Sequence, residues 1–174
     1  LSQQDALTNI SNRRTFDEMF DFFYYRAKQE KRPLAVLFID IDFFKNYNDF
    51  YGHQMGDKVI SSIAAAIKNS IRHVDFVARY GGEEFVVLLP KTPAQGAYAV
   101  AANIYKAIER QAIPHAASLV SKHVTISLGF TVYTEGFKVN QEKLIHAADQ
   151  ALYRAKQLGR NQIYYQPLEV AELV

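Results

Sequence analysis

The chain has 174 residues, 49% of them apolar, which suffices for one domain with its own core and excludes intrinsic disorder. A formal charge of +2 is too small to draw it to nucleic acid or an anionic membrane by long-range electrostatics. With no cysteine there is neither a disulfide frame nor a thiolate zinc site, and apolar runs such as Leu34–Ile39 and Phe85–Leu89 fall far short of the roughly 18 residues that span a bilayer.

Ser11 or Asn12 can cap a first helix whose apolar stripe is Phe16, Met19, Phe20, Phe23 and Ala27, with Lys31-Arg32-Pro33 as its stop. Leu34–Ile39 reads as a buried central strand that ends in acid, Asp40-Ile41-Asp42. From Asp57 a helix follows, with Ile60, Ile63, Ala64, Ile67 and Ile71 on one face. Phe76–Tyr80 and Glu84–Leu89 flank Gly81-Gly82-Glu83 as a hairpin, the glycines tolerating positive φ and close approach of another group. Thr92 reads as a cap with Pro93 at the first position of a helix reaching about Arg110, its inner face Ala97, Val100, Ile104 and Ile108. Val124, Ile126, Leu128, Phe130 and Val132 alternate with small polar residues as in a half-buried strand. Asn140 caps a last helix (Leu144, Ala148, Ala151, Leu152, Ala155, Leu158), Gly159 stops it, and Gln162–Tyr165 is a short final strand before an unassigned tail, 167–174. The order α-β-α-β-β-α-β-α-β predicts an α/β chain of the α+β kind, with a mixed central sheet flanked by helices.

Two acidic clusters carry the chemical signal. If the strand ending at Asp40 lies beside the one starting at Glu84, then Asp40, Asp42, Glu83 and Glu84 converge. Magnesium takes one or two carboxylates and fills its shell with phosphate and water, so such a point suits phosphoryl transfer. Solvated acids at strand ends fit the spacing equally well, and an ordinary turn accounts for the two glycines, but not for two adjacent glutamates that repel each other without a cation. Backbone amides around Phe43-Phe44-Lys45, with the Lys45 ammonium, can cradle phosphate, although one lysine in a polar loop is usually just solvated. Asn48 and Asp57 offer the amide and carboxylate that match a guanine edge; by position alone Asp57 fits better as a helix N-cap. Lys156 and Arg160, four residues apart, suit an anion between them, and suit a helix C-terminus without one.

Taken together these residues resemble one family. Gly81-Gly82-Glu83-Glu84-Phe85 is the GGEEF form of the motif that names the GGDEF diguanylate cyclases. Asp5-Ala6-Leu7-Thr8 with Asn12-Arg13-Arg14, then Asp40-Ile41-Asp42-Phe43-Phe44-Lys45 with Asn48-Asp49, resemble the family's opening and nucleotide segments. Gly52-His53 with Gly56-Asp57, and Asp149, Ala151-Leu152-Tyr153, Ala155-Lys156 and Gly159-Arg160-Asn161, resemble its later blocks. Five ordered blocks run from residue 5 to residue 161, nearly the whole chain.

The resemblance implies a nucleotide-cyclase or palm-like fold with a ferredoxin-like core, which condenses two GTP into cyclic di-GMP with release of two pyrophosphates. It implies Asp40, Glu83 and the Ile41 carbonyl as ligands of magnesium, with manganese as the alternative ion. Phe43, Phe44, Lys45, Lys156 and Arg160 would meet the phosphates, with Gly81 and Gly82 also lining the substrate. Asn48 and Asp57 would read guanine, and Asp40, Lys45, Glu83 and Glu84 would carry the chemistry, the general base remaining open. Asp42 and His53 match the motifs in structural roles. Arg72 and Asp75 resemble the RxxD inhibitory motif, which implies feedback by cyclic di-GMP, while a surface ion pair is the plainer reading of those two residues.

The implied partners are a second copy of the domain and an upstream sensor or dimerisation domain, with no nucleic acid. The chain is then one cytoplasmic bacterial GGDEF domain, residues 1–174, cut from a longer signalling protein with or without a membrane anchor. The alternatives are an inactive domain that senses GTP or cyclic di-GMP, another palm-like nucleotidyl transferase such as an adenylyl cyclase or polymerase, and a purely structural dimerisation module. The five histidines show no metal spacing, so no zinc is expected.

Overall fold

The computed structural model describes residues 2–168. Ten elements follow one another: α1 (Arg13–Glu30), β1 (Leu34–Ile41), α2 (Phe44–Tyr51), α3 (His53–Asn69), β2 (Phe76–Arg79), β3 (Glu84–Pro90), α4 (Ala94–Gln111), β4 (Ile126–Tyr133), α5 (Gln141–Gln157) and β5 (Gln162–Tyr165). The strands form one mixed sheet in the order β2-β3-β1-β4-β5, antiparallel except for the β4–β5 pair.

Helices cover both faces of the sheet. Alternate residues of β1 therefore enter two cores: Leu34, Val36 and Phe38 meet α1 and α5, while Ala35, Leu37, Ile39 and Ile41 meet α3 and α4. This explains why β1 is a continuous apolar run. It also corrects the half-buried reading of β4, in which all eight residues from Ile126 are buried, because Ser127, Gly129 and Thr131 lie under α5. A Cβ on Gly129 would collide with the α5 backbone at Ala151 and Leu152. The missing side chain lets that helix settle onto the strand.

The capping of α1 by Asn12 is as predicted: its side chain accepts the Thr15 N–H at 2.9 Å. Four expectations need correction. The stretch after β1 holds a separate short helix, α2, and α3 begins at His53, so Asp57 lies inside the helix rather than capping it. Thr92 does not cap α4; Pro93 occupies the N-cap position and the Thr92 hydroxyl turns back to the Pro90 carbonyl at 2.8 Å. Neither Gly81 nor Gly82 has positive φ. The strand beginning at Val124 starts two residues later. Of the tail 167–174, Leu168 packs into the core beside α1 and α5, and 169–174 lie outside the described residues.

Candidate active site at one end of the sheet

Because β1 and β3 are antiparallel, the end of one lies beside the start of the other. Asp40 pairs with Glu84, and the Ile41 N–H bonds to the Glu83 carbonyl at 3.3 Å. The acids separated by 43 residues of sequence are thus neighbours. Asp40 is only 6% exposed and one of its oxygens, Oδ2, is paired with the Lys156 ammonium of α5. The other, Oδ1, is buried with no hydrogen-bond partner.

Burial raises the Asp40 carboxyl above the ordinary carboxylate range; Lys156 opposes this and the charge of Asp42 adds to it. Glu83 and Glu84 are also raised, first by burial, then by the charge of Asp40, with Lys156 opposing in both cases. Three acids therefore depend chiefly on one lysine, with Arg160 a weaker counter-charge to Asp40 and Arg13 to Glu84, an arrangement short of positive charge.

Asp42, two residues from Asp40, is the opposite case. Fully buried, it accepts from Ser127 Oγ at 2.6 Å, from Thr125 Oγ1 at 2.8 Å and from the Asn161 N–H at 2.9 Å, with the Arg160 guanidinium 3.8 Å away. Nothing of it is left for a ligand. It anchors the chain after α5, where Gly159, Arg160 and Asn161 take successive positive φ values, and so fixes where Arg160 lies. The guanidinium rests over the Phe43 ring at 4.7 Å.

Phe43 itself is left-handed, with φ 53, and opens α2 without a side-chain cap. The first amides of that helix are therefore free of intrahelical partners. The Phe44 ring is buried among apolar residues, so only its backbone can face a ligand. Lys45 is exposed and pairs with Asp49 at 3.1 Å.

Below the acids, a cleft of about 460 Å³ is lined by Lys45, Asn48, His53, Asp57, Arg79, Gly82 and Glu83, among others. Asn48 Oδ1 is buried and unpartnered, like Asp40 Oδ1. A Cβ on Gly56 would collide with that oxygen, so Gly56 makes the room in which the Asn48 amide sits. An added Cβ on Gly82 would meet nothing within 4 Å; its value is the open space above it rather than its backbone angle.

Sequence reasoning missed several supports. Arg79 donates to the Gly82 carbonyl at 2.7 Å and pairs with Asp5 at 3.2 Å, tying the hairpin tip to the start of the chain. Burial would raise the Asp5 carboxyl, but the Thr8 hydroxyl and amide together with Arg79 outweigh it, and it is held below its usual range. Arg72 and Asp75 lie apart from the cleft, at the opposite end of β3, where Arg72 donates to the Pro90 carbonyl at 3.1 Å.

The site suits a hard divalent cation. Its donors are carboxylate and carbonyl oxygens, one of them an orphaned buried oxygen, in a locally negative setting. Among the described residues no three His, Cys, Asp or Glu side chains form a protein-only cage, and an ion that completes its shell with phosphate and water does not need one.

Residues 2–162 match the family described as diguanylate cyclase, GGDEF domain. The chain is 44% identical to diguanylate cyclase A of Treponema denticola over 78% of this chain and 36% of that protein. It is 39% identical to the probable diguanylate cyclase DgcT of Escherichia coli, over 94% of this chain and 35% of that one. It thus spans about a third of the length of these curated relatives. The GGDEF domain of DgcB from Caulobacter crescentus, solved in complex with c-di-GMP, superposes with a TM-score of 0.85 at 31% identity, over 95% of this chain and 96% of that one. The mixed five-stranded sheet with helices on both faces is that fold. Since the match takes in the acids, the hairpin and the cleft together, the chain belongs to the GGDEF domain family of diguanylate cyclases.

Proposed function

We propose that the domain is an active diguanylate cyclase, joining the 3′-hydroxyl of one GTP to the α-phosphate of another, twice, with loss of two pyrophosphates. The observation that carries this reading is the buried, unpartnered oxygen of Asp40 beside two glutamates of raised pKa, one of which, Glu83, also lines the cleft that holds Asn48 and Asp57. Asp57 accepts the N1–H and exocyclic amine of guanine and Asn48 meets its carbonyl edge, which selects guanine over adenine. The free amides at the start of α2, with Lys45, Lys156 and Arg160, hold the phosphates. Asp40, Glu83 and the Ile41 carbonyl hold magnesium or manganese, which when bound neutralises phosphate charge and polarises the reacting phosphoryl group. Lys156 then exchanges its pairing with Asp40 for a phosphate oxygen.

One domain holds one GTP, so two copies must face each other and turnover depends on how often they meet. An upstream dimerisation domain raises that effective concentration. Product inhibition at Arg72 and Asp75 belongs to the same reading: arginine can fork onto a guanine edge or phosphate of cyclic di-GMP.

Incubation with GTP and magnesium, followed by mass analysis, tests the proposal. Cyclic di-GMP is expected from the parent and not from Glu83→Gln. A linear product, cyclic AMP from ATP, or nucleotide binding without turnover would reject it.

A further inference from the structure

The 14-residue connection from Ala112 to Thr125, between α4 and β4, enters the site as described only through its last residue, Thr125, which donates to Asp42. It is pinched at its base, where Pro114 bridges His123 and the Val124 N–H bonds to the Ile113 carbonyl at 2.8 Å. It reaches α2 at both ends. His115, 1% exposed, places Nε2 at 3.0 Å from the Phe43 carbonyl, and the Ala116 N–H donates to the Tyr51 hydroxyl at 2.8 Å. The His115 ring also stands edge-on to Tyr47, 5.1 Å between centroids.

A carbonyl only accepts, so Nε2 carries the proton and donates. The other ring nitrogen, Nδ1, is buried with no partner. A buried acceptor left unmade costs stability, so an apolar ring would be the cheaper filling. The imidazole is explained by its bond. Phe43 is a bulky residue in the left-handed region, a conformation that persists only where its surroundings hold it. Its carbonyl already accepts the Tyr47 N–H at 3.0 Å, and His115 occupies the second lone pair.

We infer that His115 is a positioning residue, a clamp from the α4–β4 connection that holds Phe43 left-handed and so aims the first turn of α2 at the substrate phosphates. The role given to that turn rests on the proposed function; the clamp itself is a property of the free domain. Because α2 contacts substrate in the ground and transition states alike, loosening it weakens both, and the loss falls on KM rather than kcat.

Three variants test this. In His115→Leu, amide hydrogen exchange over residues 43–48 of the nucleotide-free domain should quicken about tenfold more than exchange elsewhere, and KM for GTP should rise roughly five- to tenfold with kcat nearly unchanged. His115→Gln keeps an N–H near the place of Nε2 and should restore both. If the leucine variant does not fold, Tyr51→Phe removes the other grip and should quicken exchange at the far end of α2. A leucine variant that lowers Tm without a selective change over 43–48, or a glutamine variant that folds but fails to rescue, overturns the clamp. Exchange that responds as expected in a domain unable to turn over GTP overturns the proposed function and leaves the clamp standing.

Discussion

The two ends of β3 hold similar side chains in opposite states. At its start, Glu84 sits with Glu83 and Asp40 around one lysine, all three acids raised in pKa and one oxygen without a partner. At its end, the Arg72 guanidinium meets both oxygens of Asp75 at 2.7–3.2 Å, the Pro90 carbonyl and Thr92 Oγ1 at 2.9 Å. One end is closed within the domain; the other is complete only with something added. Charge alone does not distinguish the two ends, whereas an unpartnered carboxylate oxygen in a cluster of like charges does. Asp40 and Asp42 repeat the lesson within three residues.

The comparison breaks most sharply at the open end. Glu83→Gln should lower turnover by about a thousandfold or more, as expected when a metal ligand and transition-state contact is lost. In metal-free buffer the same change should hold or raise Tm. The sign follows from linkage: a carboxyl with a raised folded pKa disfavours folding increasingly as pH climbs from its unfolded value through its folded one, and glutamine is free of that effect. Adding magnesium with GTP should raise the Tm of the parent and not of the variant. A variant that is less stable than the parent without metal at pH 7 would show that Glu83 is a strut after all.

A second break lies in the cleft. Gly56→Ala forces the Asn48 amide to move, and a shift of about 1 Å at a substrate-positioning group is worth up to about a hundredfold. We expect KM for GTP to rise ten- to a hundredfold. Gly82→Ala meets no protein atom, so its Tm should equal the parent's while turnover falls because the new methyl enters the cleft. Unaltered kinetics in both variants would mean that substrate does not occupy this cleft.

Much of this end was legible beforehand because the acids stand where a continuous apolar run stops and where a hairpin turns, both plain in the sequence. An apolar run stopping at Asp40 and a hairpin opening at Glu84 needed only adjacency, which the β1–β3 pairing supplies. The short helix α2 was not legible, since only Phe44 and Tyr47 of its eight residues are buried, too few to reveal a helical period. The start of α3 was placed late because His53, Gln54 and Met55 are exposed and lie outside its apolar stripe. The tasks of Gly56 and Gly129 depend on what approaches them in space, and a glycine in a sequence carries no record of that. Asp5 and Arg79 are 74 residues apart, and only the fold brings them together.

At the closed end, Arg72→Ala should leave basal turnover unchanged and relieve inhibition by added cyclic di-GMP. The Asp75 carboxylate that it grips through both oxygens is fully buried, so losing the guanidinium should cost on the order of 2 kcal/mol or more, several degrees in Tm. A Tm loss with an unchanged inhibition curve would make this corner structural only.

The smallest effect tests the latch between the opening block and the hairpin tip. Asp5 is held below its usual pKa by Thr8 and Arg79 against the pull of burial, so its contribution is present above the unfolded value of 3.8 and fades as pH falls through the lower, folded value. Asp5→Asn should therefore cost on the order of 1 kcal/mol at pH 7, and the gap to the parent should narrow as pH drops below about 4. Since Arg79 also holds the Gly82 carbonyl, a loosened latch should cost a few-fold in turnover through the position of Glu83. Urea unfolding of both proteins across that pH range decides it: a gap that stays constant with pH would assign the loss to the Thr8 turn's shape rather than to charge. The acid end would then be placed by the sheet alone, and the opening block would owe its residues to the local turn.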